Sequence, residues 1–169
     1  MDPARARCYR RVVKPLFLAP LVTVFGALTA PGCSDPLILP PCPEIALLGD
    51  IVAEVQASGT APTPMGGVVA DGTYVLTKDE AYPPVVVTDP PQRRNETIQL
   101  TGTELKARLV TDAFPEGHNA TATFTTEGTQ STITWTCGSA GTFKQNYTAT
   151  ATELILMSPP ALVSTFTKQ

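Results

Sequence analysis

From residue 68 onward, apolar side chains alternate with threonine or charged side chains. Ala120, Ala122 and Phe124 alternate with threonines in one segment, and Ile133 and Trp135 do so in the next. Side chains two residues apart lie on the same face of a β-strand, so each segment has one apolar and one polar face. Threonine, valine, isoleucine and tyrosine also pack well on a pleated surface. The pattern predicts antiparallel strands that bury one face each.

Turn residues divide this region into nine candidate strands. Asp71-Gly72 and Glu127-Gly128 are typical of tight turns, and the latter lies between two alternating runs. Many short strands without a strong helical pattern predict an all-β fold, either an up-and-down meander that closes into a small barrel or a sandwich. The predicted strands cover 73–78, 85–88, 96–101, 105–111, 120–125, 129–137, 142–150, 153–157 and 163–167.

The first 32 residues have the three parts of a secretory signal peptide. Five basic residues lie within the first 14 positions, an uncharged apolar run covers 16–28, and small residues follow. The apolar run is shorter than the roughly 20 residues that a membrane-spanning helix needs. We therefore predict a signal peptide over 1–32, a lipidation site, Pro-rich tether and ambiguous segment over 33–67, and a β domain over 68–169.

Residues 44–56 allow two interpretations. Their apolar side chains are spaced moderately well for one face of a helix. Gly49-Asp50 interrupts this pattern and favours a hairpin turn instead. The sequence leaves the helix and the hairpin turn open. The next segment, 58–67, is rich in Gly, Pro and Thr, which predicts a loop.

The segment Ala30-Pro31-Gly32-Cys33 resembles the bacterial lipobox. In that family the cysteine becomes the first residue of the mature protein and carries a diacylglycerol. The resemblance implies an exported protein that is lipid-anchored at the bacterial envelope through Cys33, and Ser34 favours sorting to the outer membrane. Several acyl chains on one residue would give a stable anchor. The alternative is ordinary cleavage near Gly32, which leaves Cys33 free.

Two cysteines remain once Cys8 and Cys33 are assigned to the N-terminal segments. In an oxidising compartment Cys42 and Cys137 favour one disulfide. Cys137 continues the face of Ile133 and Trp135, so we predict that its sulfur points inward. The alternative of a redox or metal pair lacks a Cys-x-x-Cys motif and histidine partners.

The net charge of −3 is the sum of a basic N-terminal segment and an acidic remainder of the chain. Beyond Cys33, seven basic residues face fourteen acidic ones, a net charge of −7. Nucleic-acid binders usually carry a basic face, so we expect no nucleic-acid partner. The expected partner is the membrane, through the N-terminal lipid, and the sequence names no protein partner.

No residue pattern points to catalysis. His118 is the only histidine, in a predicted loop, and no nucleophile motif such as Gly-x-Ser-x-Gly accompanies it. Asp79, Glu80 and Glu116 are interpreted as surface charges rather than as a glycosidase pair. The sequence predicts no catalytic residue, no metal and no cofactor, and an uncharacterised hydrolase is the alternative to a non-enzymatic protein.

Three segments resemble strands of bacterial lipocalin-like extracytoplasmic lipoproteins. Gly72-Thr73-Tyr74, within 70–77, lies where lipocalins carry Gly-x-Trp in their opening strand, and Lys168 lies where they have a basic residue that crosses that ring. Residues 147–156 and 165–168 resemble their closing strands. The chain is also similar to small Thr-rich lipoproteins of myxobacterial type, whose function is unassigned. The resemblance implies a lipocalin-like barrel.

Two functions remain open. The favoured one is a non-enzymatic structural or surface-binding role at the envelope. The alternative is a lipocalin-like carrier that binds a small apolar ligand in a cavity lined by Tyr74, Phe124, Trp135 and Tyr147. A filled core is favoured because side chains often fill eight-stranded barrels. A pocket of at least about 300 Å³ facing Trp135 would favour the carrier.

The lipid anchor is tested by intact mass spectrometry of the membrane fraction. We expect a chain that begins at Cys33 and carries the added mass of the acyl groups. An unmodified N-terminus at Cys33, or a different first residue, would contradict lipidation.

Overall fold

Residues 41–169, which the computed structural model describes, contain nine β-strands joined by turns and loops. This part of the chain contains no helix with the length and apolar character to span a bilayer. The predicted signal peptide and Cys33 lie outside the described residues. The strands are β1 (Val52–Gln56), β2 (Gly72–Ala81), β3 (Arg93–Thr101), β4 (Glu104–Thr111), β5 (Phe114–Glu127), β6 (Gln130–Cys137), β7 (Thr142–Ala149), β8 (Glu153–Ser158) and β9 (Leu162–Lys168).

Strands β2 to β9 form an antiparallel up-and-down meander. Each pairs with the next one in the chain, and β9 pairs with β2 from Leu162 to Lys168, which closes the sheet into a ring. Closure pairs the first and last strands of the meander, which would otherwise be exposed edges. The predicted all-β, barrel-like fold is confirmed.

Eight of the nine predicted strands correspond to observed ones. The prediction of a strand over 85–88 is wrong. Prolines flank this run on both sides, and the amides of Val85 and Val87 donate to the Tyr82 carbonyl and the Gln56 side chain instead of to a neighbouring strand. Proline removes a backbone donor and disfavours regular pairing, so three consecutive valines are not enough to form a strand here.

The ambiguous segment forms neither a helix nor a hairpin. Instead, β1 lies between β2 and β3 at one end of the barrel, where those two strands separate. β1 runs parallel to β2, with Glu54 paired with Asp79. It runs antiparallel to β3, with Val52 paired with Arg94. Because β1 belongs to the sheet, the predicted start of the β domain at residue 68 is too late.

Residues 42–51, here called the strap, cross the outer face of the barrel before β1. The Leu48 amide donates to Thr97 Oγ1 at 2.8 Å, and Asn95 Nδ2 donates to the Gly49 carbonyl at 2.8 Å. Glu44 forms an ion pair with Arg108 of β4. Thr97 is on the outer face of β3, yet only 1% of it is exposed. The strap therefore covers polar groups of the outer surface and leads the chain to β1.

A disulfide joins the strap to the end of β6. Cys42 and Cys137, which are 95 positions apart in sequence, are bonded with their Cα atoms 5.6 Å apart, so the predicted disulfide is confirmed. The prediction that the Cys137 sulfur points inward is wrong. Ala122 pairs with Trp135 whereas Thr121 pairs with Cys137, which leaves one extra residue in β6. This bulge reverses the alternation, so Cys137 lies on the outer side with the strap.

The barrel end near the start of β2 is closed and filled. Tyr74 donates its hydroxyl to the Ala70 carbonyl at 2.6 Å, and Tyr147 donates to the Gly67 carbonyl at 2.8 Å. Residues 65–70 cover this end and add a bridge between Gly66 and Thr148. A Cβ at Gly66 would lie 2.3 Å from the Gly128 carbonyl oxygen, so only glycine allows this close approach.

Removing the disulfide should destabilise the protein without changing its fold. Cross-linking residues 95 positions apart contributes about 4–5 kcal/mol in the chain-entropy model, because it restricts the unfolded chain. The variant Cys42→Ser with Cys137→Ser should lose up to this amount in urea unfolding. Reduced wild-type protein is the control and should match the variant. An unfolding free energy equal to that of oxidised wild type would contradict the structural role of the bond.

Candidate functional site

The other end of the barrel encloses a cavity of about 600 Å³. It opens where the turns between β4 and β5 and between β8 and β9 lie, opposite the end that residues 65–70 cover. Two features create the space. The insertion of β1 adds a strand to the circumference at this end, and barrel diameter grows with strand number. Ala107, Ser158 and Ser164 also place small side chains at positions that line the cavity.

Most of the cavity wall is apolar. Aliphatic side chains from β3, β4, β6, β8 and β9 face it, together with the aromatic rings of Trp135, Phe143 and Phe166. Phe143 is 41% exposed and Phe114, beside the opening, is 61% exposed. The aliphatic residues are Ile98, Leu105, Ala107, Leu109, Ile133, Leu156 and Leu162. The opening thus has exposed aromatic groups that lead into an apolar interior.

Only one of the four predicted cavity residues lines the cavity. Trp135 does so, whereas Tyr74, Phe124 and Tyr147 belong to the packed core. Strand alternation correctly predicts which side chains point inward, but it does not distinguish the filled end from the hollow end. The expectation of a filled interior therefore describes one end of this barrel only.

A charged cluster, which the sequence does not predict, forms one side of the cavity. Arg94 donates through Nε and Nη2 to the two carboxylate oxygens of Asp79, at 2.9 and 3.0 Å. Its Nη1 donates to Glu96 Oε2 at 3.1 Å, and its Nη2 also donates to Ser164 Oγ at 2.6 Å. Glu54 of β1 lines the same side. We call Glu54, Asp79, Arg94, Glu96 and Ser164 the charged cluster.

A bulge in β2 turns Asp79 into the barrel. Leu76 pairs with Phe166 and Lys78 with Thr165, so one residue of β2 is left over between them. The alternation shifts by one position, and Asp79 then pairs with Ser164 on the inner face. Asp79 is only 8% exposed, so its interpretation as a surface charge is wrong.

The other predicted surface charges and the histidine lie elsewhere. Glu80 pairs with Lys78 at 2.9 Å, and Glu116 is exposed on β5. His118 is also exposed, and it lies within β5 rather than in the predicted loop. In residues 41–169 no group of three or more His, Cys, Asp or Glu side chains is placed to hold a metal ion.

Burial and carboxylate repulsion control the electrostatics of the cluster. Burial raises the pKa of Glu96, Arg94 lowers it, and Asp79 raises it further. The pKa of Glu54 is also raised, first by burial and then by Asp79, against the effect of Arg94. Burial lowers the pKa of Arg94, but Glu96 and Asp79 outweigh it and the net change is upward. Three carboxyl groups thus share one guanidinium.

Comparison with protein-family models, with curated proteins and with solved structures finds no match for this chain. The cavity and the charged cluster therefore carry the functional argument. A mainly apolar pocket with a few convergent polar groups is the usual form of a small-molecule binding site. The aliphatic and aromatic wall suits an apolar group, and the cluster suits a polar one.

The raised pKa values predict an unusual pH dependence of stability. Glu96 and Glu54 are protonated at a higher pH in the folded state than in the unfolded state. Their protonation therefore stabilises the fold as the pH falls. This contribution is complete below the unfolded pKa and is lost as pH rises through the folded pKa. Urea unfolding over a pH series measures it.

The comparison variant carries both Glu54→Gln and Glu96→Gln. Relative to this double variant, wild type should gain stability on going from neutral to mildly acidic pH. Glu127→Gln, which removes an exposed carboxylate at the closed end, should behave as wild type. If the free energy of unfolding changes with pH in the same way for wild type and the double variant, the raised pKa values of Glu54 and Glu96 are contradicted.

Proposed function

We propose that the protein is a lipid-anchored carrier of the bacterial envelope, which holds a small molecule with an apolar part inside its barrel. The cavity of about 600 Å³ carries this proposal. It lies within the range of roughly 300–1,000 Å³ that is usual for small-molecule sites, and its wall is mainly apolar. It also faces Trp135, the property that favours a carrier over a purely structural role.

The register at the closed end supports the lipocalin-like part of the proposal. Tyr74 of β2 lies directly opposite Lys168 of β9. A Cβ at Gly72 would lie 2.5 Å from Lys168 Cε, so the lysine side chain passes over the glycine. These are the positions at which the chain resembles the lipocalin opening strand and its basic partner. They fit a barrel with one closed and one open end.

The disulfide supports an extracytoplasmic location, because such bonds persist in oxidising compartments. It also relates the predicted anchor to the cavity. Cys42 is bonded to Cys137 at the open end, and Cys33 lies nine positions before Cys42. At about 3.3–3.6 Å per residue, this tether spans at most about 32 Å. A lipid on Cys33 would keep the cavity opening close to the membrane surface, where apolar molecules are available.

Ligand binding is tested through the fluorescence of Trp135, the only tryptophan of the chain. The neutral probe N-phenyl-1-naphthylamine should bind saturably, one molecule per chain, with a dissociation constant of about 1–10 µM. Its emission should rise on binding, and the Trp135 emission should fall as energy is transferred to the probe.

Variants that fill the cavity locate the bound probe. Ala107→Phe and Ser158→Phe place a ring in the space, so each should weaken binding by at least about tenfold, equivalent to 1.4 kcal/mol. Lys106→Phe is the matched control, because Lys106 is the outward neighbour of Ala107 on β4. Urea unfolding verifies that each variant folds, since overpacking costs about 1–3 kcal/mol. Unchanged binding in both filled variants, or no saturable binding in wild type, would refute the carrier and favour a structural role.

A further inference from the structure

We propose that the cavity selects amphipathic molecules whose polar end is a protonated amine, which Glu54 and Glu96 bind. This inference rests on the proposed function and names the class of ligand. It is carried by the hydrogen bonds that the charged cluster already makes and by the acceptors that it leaves free.

Four of the five N–H donors of Arg94 are already engaged. Each of its three nitrogen atoms donates to Asp79 or Glu96, and Nη2 donates to Ser164 as well. One N–H of Nη1 has no partner among the described residues, so a ligand carboxylate or phosphate could form the two-point contact typical of arginine only by displacing one of these carboxylates. It would also meet their negative charge in a partly buried site, where repulsion is weakly screened. The guanidinium therefore positions Asp79 and Glu96 rather than serving as an anion receptor.

Acceptors remain free on the same side of the cavity. Arg94 engages one oxygen of Glu96, and no other hydrogen bond of the described residues involves that carboxylate. The carboxylate of Glu54 forms no hydrogen bond or ion pair within residues 41–169, although it lines the cavity. An ammonium group has three donors and no acceptor, so it matches oxygens that lack donors.

Three adjacent strands bring these groups together. Glu54 of β1 pairs with Asp79 of β2 in the parallel register, and Val52 of β1 pairs with Arg94 of β3. Glu96 lies two residues along β3 and faces the same way as Arg94. With all groups ionised, the cluster carries one positive and three negative charges. A cationic group on the ligand reduces this excess of negative charge, whereas an anionic group increases it.

The rest of the molecule favours the same class of ligand. Residues 41–169 contain seven basic and thirteen acidic side chains, a net charge of −6 that attracts cations to the opening. At the rim, Arg93 and Asp112 form an exposed ion pair at 3.0 Å and leave no net charge there. The wall with Trp135 and Phe143 is apolar and suits a hydrocarbon tail.

The experiment compares three probes that share a ten-carbon chain and differ in the head group: decylamine, decanol and decanoate. Each is titrated below its micelle concentration, and Trp135 fluorescence is recorded at neutral pH, where the amine is protonated. Decylamine should bind about tenfold more tightly than decanol, the effect expected of one charge-assisted hydrogen bond. Decanoate should bind more weakly than decanol.

Charge-removing variants assign the preference to named residues. Glu54→Gln and Glu96→Gln should each weaken decylamine binding by about tenfold and leave decanol binding unchanged. Glu127→Gln removes the same charge from the exposed end of β5 and should change the binding of neither decylamine nor decanol. Because Glu96 contacts Arg94, the Glu54 variant provides a test that leaves the ion pairs of Arg94 with Asp79 and Glu96 intact.

The binding of decylamine should also weaken as the pH falls. Burial raises the pKa of Glu96 and Glu54, so these groups lose their charge at higher pH than exposed glutamates do. The charged groups that face them are Asp79 and Arg94, with Arg93 and Asp112 at the rim. Decanol binding should not follow this dependence.

The outcomes separate the two proposals. If decanol or decanoate binds as tightly as decylamine, the amine preference is wrong and the carrier remains. The assignment to Glu54 and Glu96 is overturned if both cluster variants still prefer decylamine. It is also overturned if Glu127→Gln removes the preference as well. If none of the three probes changes Trp135 fluorescence while N-phenyl-1-naphthylamine still binds, the amine preference fails and the carrier remains. If N-phenyl-1-naphthylamine does not bind either, both proposals fail.

Discussion

The position of β1 is the constraint on which the open end of this barrel depends. β2 and β3 pair directly only over Gly72–Val75, and beyond that point β1 occupies the gap between them. Without β1, the backbone groups of β2 and β3 that face the gap would have no partner in the sheet, although β9 and β4 pair with the other edges of these strands. A short strand alone is marginal, and the hydrogen bonds of the strap and the disulfide stabilise its placement. The cavity is therefore held open by contacts made on the outer surface of the barrel.

The same strand gives the cavity its chemical character. β1 contributes Glu54, and its neighbours contribute Asp79 on one side and Arg94 on the other. Buried charges are costly unless they are paired and hydrogen-bonded, and Arg94 meets this condition with Asp79 and Glu96. Glu54 is partly buried and forms no hydrogen bond with a described residue, and its pKa is raised first by burial and then by the charge of Asp79. A group kept in such a setting is more readily explained by binding than by stability.

Much of the fold could be predicted from local patterns, and the errors have identifiable physical causes. Alternation locates eight strands because its period is a property of each strand alone. The inward position of Asp79 and the outward position of Cys137 both follow from β-bulges, which depend on register with a neighbouring strand. β1 was ambiguous because its partners lie about 25 and 40 residues away. Tyr74 and Trp135 have the same local pattern, and only ring closure places one in the core and the other at the cavity.

The central claim is that the open end of the barrel binds a ligand inside. The most direct measurement is the two-dimensional ¹⁵N–¹H spectrum of the protein during titration with decylamine, since Trp135 supplies the only indole N–H signal. We predict shifts of this signal and of the amides of Ala107 and Ser158, whose side chains line the cavity. Shifts confined to the strap or to the outer threonines, with the Trp135 signal unchanged, would contradict the account.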